Sequence, residues 1–339
     1  MVLIQKDLIN GFKGKKILIT GGTGSIGLAL VKQLIPYKPS AIRIFTNDEN
    51  SIFEVRRKLG DNPILSYLMG DVRDKERLSL AIRNVDIVFH AAAMKHIDIC
   101  EQNPFDAVKT NVVGTSNILE AVLMENVSKF IFISTDKAAS PTSTLGASKL
   151  LAERLTLNAS SYRGLGKSTF SIVRFGNVIG SRGSVFQIFL DQIRRGIPLT
   201  VTDSQMTRFI MSIAEAAGLI LKVTHIAQDE EIFILKMPSI KILDLAKSML
   251  DVYSKKYQIK KLPSINISKS REREKFHEHL ITNDELEYCY DLKDMYKISK
   301  EKKNQKISKD QFNSETAPRL PKEKLDKVVN ELLDEFMPF

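Results

Sequence analysis

The 339-residue sequence predicts a doubly wound α/β fold, a parallel sheet with a smaller, interrupted lobe after it, and three observations predict it. Short β-branched runs alternate with helix-length amphipathic stretches through the first two-thirds of the chain. A glycine-rich turn joins the first run to the first helix. Beyond about residue 180 the alternation loosens. Such alternation implies right-handed crossovers, hence parallel strands covered by helices on both faces.

In order, KKILIT (15–20) is read as a strand feeding the helix SIGLALVKQLI, AIRIFT (41–46) as one feeding a charged helix, and ILSYLMG (64–70) as one feeding DKERLSLAIRN. VDIVFHAAA (85–93) leads to the long helical stretch PFDAVKTNVVGTSNILEAVLMEN, KFIFIST (129–135) to a helix beginning near Ser143, and STFSIVRFGNV (168–178) is a further strand. PKEKLDKVVNELLDEF closes the chain as an amphipathic helix.

At 43% hydrophobic and 27% charged, the composition is that of a folded globular protein. No apolar run reaches the roughly 18 residues of a membrane span, and the opening MVLIQKDLINGFKGKK lacks a signal peptide's apolar core, so a cytoplasmic protein is expected. Two cysteines, Cys100 and Cys289, suggest packing rather than a disulfide framework, and no metal site is expected. The net charge of +10 suits an anionic ligand. The densest basic stretch, KISKEKKNQKISK (297–309), has no aromatic interleaving and no nucleic-acid motif, and reads as solvated surface.

TGGTGSIG (20–27) follows the first strand and opens a helix, the context in which a glycine pattern binds a dinucleotide. Gly21 permits the tight turn, Gly24 lets backbone approach a pyrophosphate, and Gly27 allows helix–strand packing; Thr23, Ser25 and Ile26 lie in the same loop. In GDVRD (70–74), Asp71 and Val72 stand beside an adenine, or Asp71 caps the next helix. The second strand ends in Thr46-Asn47 with Asp48 further round, leaving room for a 2′-phosphate; this favours NADP, with NAD possible. Residues 1–180 are thus expected to be mainly a Rossmann-type NAD(P)-binding domain, and 181–339 mainly a substrate-binding lobe with the Lys-rich segment and the terminal helix.

GGTGSIG, GDVRD, HAAAMKH (90–96), KTNVVGTSN (109–117), STDKA (134–138), VRFGNVIGSRGSV (173–185) and MTRF (206–209) occur in the order seen in the inverting UDP-N-acetylglucosamine 4,6-dehydratases, and the chain resembles that family from Lys15 to about His279. These are extended short-chain dehydrogenase/reductase proteins of polysaccharide synthesis. The resemblance implies that Lys137 takes the sugar C5 proton, that Asp136 protonates the departing C6 hydroxyl, and that Thr135 hydrogen-bonds near the C4 oxygen. It places Lys149 on the nicotinamide ribose, and Ala91, Ala92, Ala93, Lys95 and Asn111 along the cofactor. Lys95 and His96 come near the sugar, Asn177 near the substrate, and Arg182 and Arg208 clamp the diphosphate. From the residues alone, Asp136 and Lys137 are either an acid and a base at the carboxyl end of a strand or a surface ion pair.

Two departures stand out. Four residues before Lys149, where the wider superfamily has the tyrosine that accepts the C4 hydroxyl proton, this chain has Leu145. Where the family reads RPGEKLHE, the chain has REREKFHE (271–278), keeping Glu274 but replacing the Pro-Gly turn with Glu272-Arg273. The expected activity is dehydration of UDP-N-acetylglucosamine to a 4-keto-6-deoxy hexosamine with C5 inversion, for surface glycans, by a homo-oligomer. The rivals are a nucleotide-sugar 4-epimerase and a non-catalytic nucleotide-binding member.

Overall fold

Apolar runs without alternation become strands buried on both faces. The computed structural model of the chain describes residues 5–268, 273–302 and 307–337. Its strands are β1 (Lys16–Thr20), β2 (Ala41–Thr46), β3 (Leu65–Met69), β4 (Ile87–His90), β5 (Lys129–Thr135), β6 (Thr169–Phe175), β7 (Asn177–Val178), β8 (Leu199–Val201), β9 (Thr207–Met211), β10 (Glu231–Leu235), β11 (Ser239–Lys241), β12 (Ile265–Ile267), β13 (Cys289–Asp291) and β14 (Met295–Ile298). Its α-helices are α1 (Gln5–Phe12), α2 (Ser25–Leu34), α3 (Glu49–Leu59), α4 (Lys75–Ile82), α5 (Ile97–Gln102), α6 (Pro104–Val108), α7 (Gly114–Met124), α8 (Thr144–Asn158), α9 (Val185–Arg194), α10 (Ile213–Ile226), α11 (Ile242–Tyr257), α12 (Asn283–Leu286) and α13 (Lys322–Phe336). In β1 the side chains of Ile17, Leu18 and Ile19 are all excluded from solvent, as a sheet covered on both faces requires.

The main sheet has nine strands in the order β13-β14-β10-β6-β5-β4-β1-β2-β3. From β3 to β10 every pairing is parallel, and β14 and β13 complete the far edge antiparallel. The chain leaves β1 toward β2 and β3, then returns to β4 on the other side, so the carboxyl ends of β1 and β4 form the switch point where such sheets bind ligands. The predicted doubly wound parallel fold is the one formed.

The chain divides into two units, but not at one position. The first runs to Phe175 and takes up Ala214–Lys236 and Ile281–Ile307; the second comprises Gly176–Ile213, Met237–Leu280 and Ser308–Phe339. The stretch read as one strand, STFSIVRFGNV, is broken at Gly176: β6 pairs with β5 and β10, whereas Asn177 and Val178 pair with Ile210 and Met211 of β9. In the second unit, α9, α11 and α13 share a core with Phe186, Phe189, Leu245, Met249, Leu325, Val329 and Leu333. The last three recur every fourth residue of α13, the stripe that made this helix legible.

The long helical stretch after β4 is likewise interrupted. Between α6 and α7, Lys109–Val113 forms a π-helical turn, which turns Asn111 into the interior. Of the basic stretch 297–309, Lys297 and Ile298 belong to β14, and Lys297 Nζ donates to buried Glu231 at 2.6 Å, so its start is sheet rather than solvated surface. Residues 303–306 lie outside the described residues. No described helix is long and apolar enough to cross a membrane.

Candidate active site

The glycine loop is fixed by sterics. Gly21 has φ +64°, and a Cβ there meets the Ala92 amide nitrogen at 2.8 Å; a Cβ on Gly27 meets the Gly21 carbonyl at 2.4 Å. Helix α2 starts at Gly24, which has no side chain with which to cap it, and its first turn holds no carboxylate. The positive end of that helix therefore fits an anionic diphosphate, with Ser25 and Ile26 in the first turn. Thr23 lies beneath, its hydroxyl 3.2 Å from Thr46 Oγ1 and 2.7 Å from Ser51 Oγ.

The structure changes the expected cofactor-discriminating end of β2. Thr46 is buried and turned into this hydroxyl cluster, and Asp48 is committed to capping α3 through the Ser51 amide at 3.1 Å. Asn47 is the exposed group, donating to Asp71 Oδ2 at 3.1 Å. Asp71 does not cap the following helix; Asp74 does, accepting from the Arg77 amide. Asp71 is instead gripped by Arg73 at 2.7 and 3.0 Å, and those hydrogen bonds hold its carboxyl down at about 2. Val72 is buried behind it.

At the end of β4, a histidine the sequence reading passed over organises the switch point. Thr115 Oγ1 donates to the Asn111 carbonyl at 2.7 Å, so it must accept from His90 Nε2 at 3.1 Å. His90 Nδ1 then accepts from Thr20 Oγ1 at 2.7 Å, and Thr20 in turn accepts from the Ala92 amide at 3.3 Å. The chain runs in one direction and fixes the imidazole as the neutral Nε2–H tautomer. Complete burial, assisted by the charge of Lys149, pushes His90 down to about 3. The Asn111 amide accepts from the Met94 amide and donates to the Met94 carbonyl and to Ser148 Oγ of α8, tying the Ala91–Ala93 segment to that helix. Lys95 and His96 follow and are exposed, His96 at the start of α5.

At the end of β5, Thr135, Asp136 and Lys137 come together. Asp136 is fully buried; its Oδ1 accepts from Thr135 Oγ1 at 2.9 Å and from Lys137 Nζ at 3.0 Å. Helix α8 follows, beginning where the sequence predicted, with the Ser143 hydroxyl capping it by accepting from the Gly146 amide. On it, Lys149 Nζ donates to the Ile133 carbonyl at 2.7 Å and sits 4.2 Å from the centre of the Phe132 ring. Burial pushes this ammonium down to about 8, against the opposing charge of Glu153. Leu145 is buried with Cys100, Ala107, Met94 and Ile97, so its place is an apolar plug.

The second unit carries the remaining candidates. Asn177 lies on β7, and Arg182 is exposed in the turn before α9. Arg208 is buried on β9: Nη1 donates to the carbonyls of Thr207 and Phe276, and Nη2 to Glu274 Oε1 at 3.0 Å and to Met206 Sδ. An arginine so engaged is held in the protein's own network, a geometry that the motif did not reveal. Glu274 Oε2 is buried without a hydrogen-bond partner. In the altered turn, Glu272 lies outside the described residues, and Arg273 takes the family glycine's place with φ +62°.

A family model described as polysaccharide biosynthesis protein matches residues 17–300. An uncharacterised membrane protein of Methanocaldococcus jannaschii is 48% identical over 96% of this chain and 98% of its own length. An inverting UDP-N-acetylglucosamine 4,6-dehydratase of Campylobacter jejuni is 42% identical over 85% of this chain and 84% of its own. A UDP-glucose 4-epimerase of Rickettsia rickettsii is 38% identical over 85% and 83%. Among solved structures, Pen from Bacillus thuringiensis superposes with a TM-score of 0.88 at 40% identity, covering 94% of this chain and 98% of that one.

Proposed function

The chain belongs to the polysaccharide biosynthesis protein family, and from that premise we propose that it is a nucleotide-sugar 4,6-dehydratase. Its substrate is UDP-N-acetylglucosamine and its product a UDP-linked 4-keto-6-deoxy hexosamine with inverted C5, formed with loss of one water, a precursor for surface glycans made in the cytoplasm. The observation that carries the reading is the Asp136–Lys137 pair. A surface ion pair is solvated and worth little; this one has its carboxylate wholly buried at the carboxyl edge of the sheet. Shifting one proton across the 3.0 Å contact turns ammonium and carboxylate into amine and carboxylic acid, the forms needed to take a proton from C5 and to give one to the C6 oxygen.

A bound nicotinamide supplies reversible hydride transfer, at C4 and then at C6. Thr135 orients Asp136 and reaches the C4 oxygen. Leu145 has no proton to exchange, so the Asp136–Lys137 pair relays the C4 hydroxyl proton onward to solvent and returns to its one-proton state before the C5 step. Gly21, Gly24 and the start of α2 hold the dinucleotide diphosphate, and Lys149 meets the nicotinamide ribose. NADP is the favoured cofactor because Asn47, the exposed group beyond β2, carries no charge to repel a 2′-phosphate. Arg182 and Asn177 hold the nucleotide end of the substrate, while Arg208 and Glu274, paired with each other, shape the pocket wall from within the protein.

A 4-epimerase is the second reading, favoured by the Rickettsia relative. It has no use for an acid at C6. Incubation with UDP-N-acetylglucosamine, followed by mass and NMR, separates the readings: loss of water with a C6 methyl for the dehydratase, unchanged mass with inverted C4 for the epimerase, and no conversion for a non-catalytic member.

A further inference from the structure

Behind α8 lies an ion cluster that the reaction above does not use. Arg174 of β6 is wholly buried, and its guanidinium grips two carboxylates: Glu153 of α8 through Nε at 3.0 Å and Nη2 at 2.6 Å, and Glu285 of α12 through Nη1 and Nη2, each at 2.9 Å. Glu285 is itself fixed by the capping box of α12, where it accepts from the Thr282 amide. One cation between two carboxylates gives this trio one negative charge in excess, and the charge of Arg154, also on α8, acts on its Glu285 end.

Lys149 stands four residues before Glu153, one turn away on the same face of α8. The other groups around its ammonium supply no free negative charge. From β5 come the Ile133 carbonyl and the Phe132 ring, and from β4 comes the neutral His90. From the turn after β5 come Asp136 and Lys137, which pair with each other. From the π-helical turn comes the Asn111 amide, and Glu101 of α5 accepts from the Thr144 amide. With Arg154 acting on Glu285 at the outer end, Glu153 is the carboxylate of the cluster that stands toward Lys149. Without the trio, the direct contacts of the buried ammonium are a carbonyl and an aromatic ring, the nearest other charges are paired with each other, and burial drives it toward the amine.

We propose that Glu153, held in place by Arg174 and Glu285, is a positioning residue that keeps Lys149 protonated, so that the returning segment Ile281–Ile307 sets the charge of the cofactor-facing lysine from behind. The catalytic meaning rests on the proposed function; the charge relation between Glu153 and Lys149 does not. Glu153→Asp keeps the charge, Glu153→Gln removes it, and Glu285→Gln removes the outer charge of the trio.

The experiment follows the Lys149 ¹³Cε resonance, assigned by its loss in Lys149→Met, against pH in wild type and each variant, alongside NADP affinity over the same range. The titration midpoint should fall by about one pH unit, a tenfold loss of proton affinity, in Glu153→Gln. It should fall by less in Glu285→Gln and stay near the wild-type value in Glu153→Asp. The affinity for NADP should weaken at a correspondingly lower pH. A midpoint unmoved in Glu153→Gln, or, if that variant does not fold, in Glu285→Gln, overturns the proposal even if stability drops. A shifted midpoint in a protein that binds no nicotinamide cofactor supports the charge relation and removes the functional reading instead.

Discussion

His90 makes stability at mildly acid pH a direct reading of the switch-point network. Its imidazole is buried as the neutral form at about 3, against roughly 6.5 in an unfolded chain. A proton therefore favours the unfolded state, and stability present above pH 6.5 is lost as the pH falls toward 3. Between pH 7.5 and 5 the loss from this one group is about 2 kcal/mol, from RT ln(1 + 10^(6.5 − 5)) with the native form still unprotonated. His90→Gln cannot titrate. It should be less stable than wild type at pH 7.5 by about 1–3 kcal/mol, because two buried hydroxyls lose well-placed partners. Its pH dependence should be flatter by about 2 kcal/mol over the same interval. Urea unfolding of both proteins at pH 5, 6 and 7.5 measures this. His279 is also pushed down by burial, and it cancels because both proteins contain it. Parallel stability curves for the two proteins would refute the reasoning.

The remaining predictions concern the site's edges. Leu145→Tyr must force a ring into the plug formed with Cys100, Ala107, Met94 and Ile97, and should cost about 1–3 kcal/mol of stability in thermal unfolding. It should nevertheless speed the appearance of reduced cofactor in a single turnover at about 340 nm, because a general base there is worth about 10²–10⁴ in rate. Calorimetry on cofactor-stripped protein should give tighter binding of NADP than NAD, and Asn47→Asp should reverse the order by placing a charge at the exposed position. Arg273→Gly should raise stability by about 1 kcal/mol, since it relieves a left-handed backbone that a side chain disfavours; an unchanged urea midpoint would count against that strain.

What could be read from the sequence was local. Strands β1, β4, β5 and β6 announced themselves because burial on both faces demands near-continuous apolar runs, and the glycine loop because its turn admits only glycine. The motif after β5 told which residues stand at the strand end. It did not tell whether Asp136 is solvated, because burial depends on what packs over it. The errors came from contacts between distant positions. Thr46 turns inward because Thr23 and Ser51 are there to receive it. Asp71 loses the helix cap to Asp74 because Asn47 and Arg73 hold it. Arg208 lies against Glu274, 66 positions away, and Arg174 against Glu285, 111 positions away. No periodicity or spacing records such pairs, nor the return of Ile281–Ile307 to the first unit.

The central claim is that Asp136 and Lys137 work as an acid and a base on one sugar. Conversion of UDP-N-acetylglucosamine in heavy water, with wild type and Lys137→Ala compared by NMR, tests it most directly. The account predicts that wild type yields a 4-keto sugar with a C6 methyl and deuterium at C5, and that Lys137→Ala still binds the cofactor but incorporates no deuterium there. Wild-type incorporation in Lys137→Ala, or a wild-type product that keeps its C6 hydroxyl, would contradict it.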